Sequence, residues 1–71
     1  MNKIFYFIYA CKESDYHYGS PKGKGNTYDY NDREMAIQDA RGYCDGNDLV
    51  QVRGFVTRNG ELEQVETIQI K

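Results

Sequence analysis

The segment Ile4–Cys11, reading IFYFIYAC, limits the possible folds of this chain more than any other. Eight consecutive β-branched, aromatic and small apolar residues fall far short of the roughly 20 that a membrane-spanning helix needs, and their composition is that of a strand. Alternation places Ile4, Tyr6, Ile8 and Ala10 on one face and Phe5, Phe7, Tyr9 and Cys11 on the other. Both sets are apolar, which predicts a central strand covered on both sides. The rest of the chain must supply its neighbours and its cover.

With 71 residues there is room for a single domain, residues 1–71, and a domain of that size buries only about 60% of its unfolded surface. A mean hydropathy of -0.82 is polar for a folded chain, but 14% aromatic content separates it from disordered sequences, which are poor in rings.

Residues 49–57 and 61–70 flank Arg58-Asn59-Gly60, a strong hairpin signal. A two-residue turn sets Val56 opposite Glu63 and Val50 opposite Gln69. A three-residue turn with Gly60 left-handed sets Val56 opposite Leu62 and Val50 opposite Ile68. The second keeps Val50, Val52, Val56, Leu62, Ile68 and Ile70 on one face and is the register expected from burial, with Arg53, Phe55, Glu61 and Glu63 facing outward or toward a neighbour.

Between the first strand and this hairpin, Asn31 opens a helix. Glu34 stands at the position that completes a capping-box pair, and Tyr30 is placed to staple to Met35. Through Cys44 the apolar positions Ala36, Ile37, Ala40, Tyr43 and Cys44 share one face, and Gly46 follows as a left-handed stop. The fold class is therefore α+β: a small antiparallel sheet of three to four strands, one helix on one face, in the order β-arm-α-β-β.

The arm, residues 14–31, is rich in Tyr, Gly and Lys. Tyr16 and Tyr18 precede a Gly/Pro/Ser/Asn tip and Tyr28 and Tyr30 follow it, which reads as a long irregular hairpin or ordered loop. Its G-S-P-K-G-K-G stretch lacks the glycine spacing of a P-loop, so a solvated turn at the tip is expected. Tyrosines set among Ser, Gly, Asn and Lys have the chemistry of recognition loops, and Tyr16, Tyr18, Lys22, Lys24, Tyr28 and Tyr30 are the candidate partner-binding residues.

Charge and chemistry exclude more than they propose. The net charge of -2 argues against a dedicated duplex binder, although residues 1–28 carry four lysines against two acids and are locally basic. The acids Asp29, Asp32, Glu34, Asp39, Asp45 and Asp48 gather around the helix, where a solvated face complementing the helix dipole is the expected role. One histidine, His17, and two cysteines, Cys11 and Cys44, without a C-x-x-C spacing assemble no zinc site, and no catalytic constellation is present. Neither cofactor nor metal is expected. The apolar run after Met1 barely reaches the length of a secretory h-region, so a cytoplasmic protein with free thiols is expected.

In size and in its order of strand, polar arm, helix and terminal hairpin, the whole chain resembles the small inhibitor proteins of phages and mobile elements, including the anti-CRISPR type. The resemblance implies a non-enzymatic binding module acting in the host cytoplasm that sterically blocks a larger protein or ribonucleoprotein complex of host defence. The alternative is a single-stranded nucleic-acid binder in which tyrosines stack on bases while Lys12, Lys22, Lys24 and Arg53 follow the phosphates.

Overall fold

The computed structural model describes residues 4–13 and 22–71. In chain order the elements are β1 (Ile4–Cys11), β2 (Lys22–Asp29), a 3-10 turn (Tyr30–Asp32), α1 (Arg33–Arg41), β3 (Leu49–Arg58) and β4 (Glu61–Gln69). The strands form one antiparallel sheet in the order β2-β1-β3-β4, with α1 across one face, which is the expected α+β arrangement with the fourth strand drawn from the arm. β1 is central because its neighbours are the strands that can satisfy both of its backbone edges.

The core lies between the sheet and α1. Tyr6, Ile8, Ala10, Val50, Val52, Ala36 and Ala40 are each at most 1% exposed. Alanine at both buried helix positions allows α1 close to the strands, and Ile4, Tyr28, Ile37, Tyr43, Cys44, Ile68 and Ile70 close the rim. Cys11 is buried, Cys44 is half-buried, and both are free thiols.

Five local expectations are corrected. β1 is central, but among the described residues only one of its faces is fully covered: Tyr6, Ile8 and Ala10 are buried, whereas on the other face Cys11 is buried at the strand end and Phe5, Phe7 and Tyr9 are only half-buried. A nine-residue helix is about 14 Å long and buries a single stripe, so it cannot cover both faces. The helix start also differs. A 3-10 turn precedes α1, its N-cap is Asp32 rather than Asn31, and no side chain bonds the cap. Tyr30 and Met35 remain 59% and 54% exposed, so the expected staple does not bury either. At the other end α1 stops at Arg41 instead of Cys44, and the next turns are closed by i→i+3 bonds from the amides of Gly42, Tyr43 and Cys44; Gly46 then takes φ 91°.

The hairpin follows the register that burial disfavoured, then repairs it. Asn59 (φ 54°) and Gly60 (φ 80°) form a two-residue turn with both central residues left-handed, whose twist matches that of the flanking strands. Val56 consequently pairs with Glu63, and Thr57 with Leu62. Between Gly54 and Phe55 the pairing jumps from Glu66 to Gln64, leaving Val65 as a bulge. Beyond it, Val52 faces Ile68, and the Ile70 amide donates to the Val50 carbonyl at 3.0 Å. Turn geometry governs the outer half and burial the inner half; Leu62, 62% exposed, is the residue left outside.

The last correction concerns the arm. Lys22, Gly23 and Lys24 are not in a tip: they pair with Ala10, Tyr9 and Ile8 as part of β2. The open backbone edge of β1 outweighs the weak strand preference of glycine. The second arm of the expected hairpin also pairs with β1, through Tyr28 with Tyr6 and Asp29 with Phe5, before the 3-10 turn at Tyr30; its first arm, with Tyr16 and Tyr18, lies outside the described residues.

Gly54 explains how the central pairing is so tight. A Cβ there would stand 3.0 Å from Tyr6 Cε1, 3.2 Å from Ile4 Cγ2 and 3.4 Å from Glu66 Cβ, so the missing side chain leaves the space that the Tyr6 ring fills. Three polar ties complete the scaffold. Arg33 Nε and Nη2 both reach Glu66 Oε1 at 3.0 Å, the Tyr28 hydroxyl donates to Asp39 Oδ2 at 2.6 Å, and Lys71 Nζ donates to the carbonyls of Cys44 and Asn47 at 2.8 and 2.7 Å.

Candidate functional site

Paired residues share a face, so the register defines the side of the sheet opposite α1. Phe5, Phe7 and Tyr9 of β1 stand beside Phe55, Arg53 and Gln51 of β3 respectively, and those stand beside Gln64, Thr67 and Gln69 of β4. Leu62 extends this face at the hairpin end, and Asp29 pairs with Phe5 at its β2 margin. An uncovered sheet face ordinarily carries polar residues in alternation. Here its middle is aromatic.

The rings are mutually ordered. Phe7 and Phe55 meet edge to face with centroids 5.3 Å apart, and Tyr9 lies 6.3 Å from Phe55 at a tilt of 43°. The Arg53 guanidinium carbon sits 4.4 Å from the centroid of the Tyr9 ring. Arg53 Nε donates to Gln51 Oε1 at 2.9 Å, Gln51 Nε2 donates to Gln69 Oε1 at 2.9 Å, and Gln64 Nε2 donates to Thr67 Oγ1. A rigid floor of rings and interlocked amides results, with one cation set into it. The bulge at Val65 contributes by restoring the inner register, which brings Thr67 and Gln69 to this side.

The arm candidates are distributed differently. Tyr16 and Tyr18 lie outside the described residues, as does His17. Lys22 and Lys24 occupy strand positions in β2. Tyr28 is half-buried against the core on the helix side, and its bond to Asp39, reinforced by burial, pushes its ionisation up to about 12. Tyr30 is exposed where β2 gives way to the helix. Of the six, only Tyr28 and Tyr30 have described side chains, and neither shares the sheet face that holds Arg53. The sequence pattern places Arg53 and Phe55 outward but does not join them to Phe5, Phe7 and Tyr9, because two-sided apolar alternation in a strand implies two-sided cover.

Structural contacts shift two further ionisations. Burial first, and then the Glu66 carboxylate, raise the Tyr6 ionisation, while Arg33 opposes them. The Glu66 hydrogen bond raises that of Arg33. Among the described residues no three His, Cys, Asp or Glu side chains converge to hold a metal ion. Among the described residues no helix is long and apolar enough to cross a membrane.

Compared with family models, curated proteins and solved structures, the chain matches none.

Proposed function

We propose that the protein is a non-enzymatic protein-binding module that docks through the open face of its sheet. The observation that carries this reading is the ordered cluster of Phe7, Tyr9 and Phe55, with Arg53 stacked on Tyr9 and Phe5 beside Phe55 in the register, left uncovered by the described residues. Aromatic residues and arginine are the side chains that dominate protein interfaces, and rings already locked against one another lose little freedom on docking. Four strands about 4.8 Å apart and some eight residues long give a flat footprint on the order of 500 Å², a large part of the roughly 800 Å² per partner in a standard interface.

In the specific form implied by the resemblance to phage-type inhibitors, the partner is a nucleic-acid-processing or CRISPR-like complex. A domain this small would block it by occupying a surface, with the arm residues Tyr16, Tyr18, Lys22, Lys24, Tyr28 and Tyr30 as further candidates for contact. Single-stranded nucleic acid is the second reading, favoured by ring-and-arginine chemistry but opposed by the scarcity of cations on the described face.

Capture from lysate by the immobilised protein tests the proposal when three forms are compared. A specific partner is expected to be retained by the wild type and by Asp45→Lys, which alters the opposite side, and lost with Phe55→Ser. Reconstitution with the purified partner should then reduce that partner's activity. Retention by all three forms would sink the reading.

A further inference from the structure

Resting on the reading of the open face as a docking surface, we infer that its partner is a protein segment that presents a carboxylate to Arg53 from between apolar side chains. Arg53 lies in the middle of the face, paired with Phe7 on one side and Thr67 on the other. The Tyr9 ring beneath it and the Nε bond to Gln51 fix the plane of the guanidinium. Among the described residues its terminal nitrogens have no hydrogen-bond partner and no carboxylate pairs with it, in contrast to Arg33 and Arg58. A planar fork held flat and partly dehydrated is pre-organised for two parallel bonds to a carboxylate.

The neighbours narrow the choice of partner. Gln51, Gln69, Gln64 and Thr67 bond one another, and Phe5, Phe7 and Phe55 offer only apolar surface, so one anion set among apolar groups matches the face. Asp29, the acid on this face, stands across two strands at its margin, on the order of 10 Å from Arg53 by strand spacing. A nucleic-acid strand repeats its charge at every nucleotide and needs a row of cations, and the described face supplies one, on a chain of net charge -2.

The test uses the full-length ¹⁵N-labelled chain and two blocked tripeptides, acetyl-Phe-Glu-Phe-amide and acetyl-Phe-Gln-Phe-amide, followed by NMR. The acidic probe is expected to bind about five- to tenfold more tightly than its amide counterpart, the gain of a charge-assisted pair, with shifts at the Arg53 side chain, Phe7, Tyr9 and Phe55. Arg53→Gln, checked for an unchanged amide spectrum, should bind both probes equally. Equal binding by the wild type, or a preference that survives Arg53→Gln, overturns the inference. So does tighter, steeply salt-dependent binding of an oligothymidylate at the same face, or self-association that covers it. The two readings fail separately: partner capture lost with Phe55→Ser but unaffected by Arg53→Gln removes the carboxylate and keeps the docking face, whereas capture indifferent to both removes the face itself.

Discussion

Replacing Gly54 by alanine tests the packing that holds the sheet together. The new methyl carbon would sit 3.0 Å from Tyr6 Cε1 and 3.2 Å from Ile4 Cγ2, with Glu66 Cβ at 3.4 Å on the other side. Ordinary carbon contacts begin near 3.5 Å, so at least two neighbours must move by a few tenths of an ångström. Tyr6 is 1% exposed and has little room to do so. Overpacking of this kind costs about 1–3 kcal/mol, and the reduced freedom of the unfolded chain returns about 0.4–1 kcal/mol, leaving a net loss of about 1–2 kcal/mol. For a chain of 71 residues, whose total stability is on the order of 4–10 kcal/mol, the midpoint of thermal unfolding should fall by roughly 5–12 °C. Urea unfolding gives the free energy directly. Combining Gly54→Ala with Tyr6→Leu separates sterics from propensity, because the shorter side chain leaves space for the methyl, and the double variant should lose less than the sum of the two singles. A Gly54→Ala protein as stable as the wild type, or strictly additive losses, would show that the Tyr6 ring does not depend on the missing side chain.

Three further outcomes are expected. Because the neutral Tyr28 hydroxyl is the form that bonds Asp39, raising its ionisation from 10.0 to about 12, the tie between β2 and α1 is intact below about pH 10 and lost as pH rises through 12; ultraviolet titration should find a late-ionising tyrosine absent from Tyr28→Phe. Exchanging Asn59 for valine puts a β-branched residue at φ 54° and should cost about 1–2 kcal/mol in urea unfolding, while Asn59→Gly should cost far less, and equal losses would contradict the turn assignment. Arg33→Ala should destabilise by about 1 kcal/mol or less, since both partners of the Glu66 pair are more than a third exposed, and it should raise the Tyr6 ionisation further by leaving Glu66 unopposed.

The parts of this fold legible in sequence are those fixed by strong local patterns. Alternation in 4–11, helical spacing of Ala36 and Ala40, and the Asn59-Gly60 turn each pointed to the element now seen. The errors arose where two local rules competed. At the hairpin, turn twist and hydrophobic pairing asked for different registers, and the bulge at Val65 let both prevail in different halves. Such a bulge has no compositional signature. In β2, the glycines of Lys22–Asp29 suggested a turn because the demand came from β1, a partner distant in sequence. The open face was visible in its individual residues, but that the described residues leave it uncovered depends on α1 packing against the other side, which is a matter of tertiary arrangement.

The edge of β4 has a consequence for the protein in concentrated solution. An aromatic face that the described residues leave uncovered, beside a nine-residue edge strand, is an arrangement that invites other chains to add on. Here the register is broken at Val65, so a flat intruding strand cannot pair along the full length. Glu61 places negative charge at the hairpin end of the same strand, whereas Glu63 and Glu66 are paired with Arg58 and Arg33. The local kink, with the charge of Glu61 at one end, leaves this edge little length along which a second chain could add.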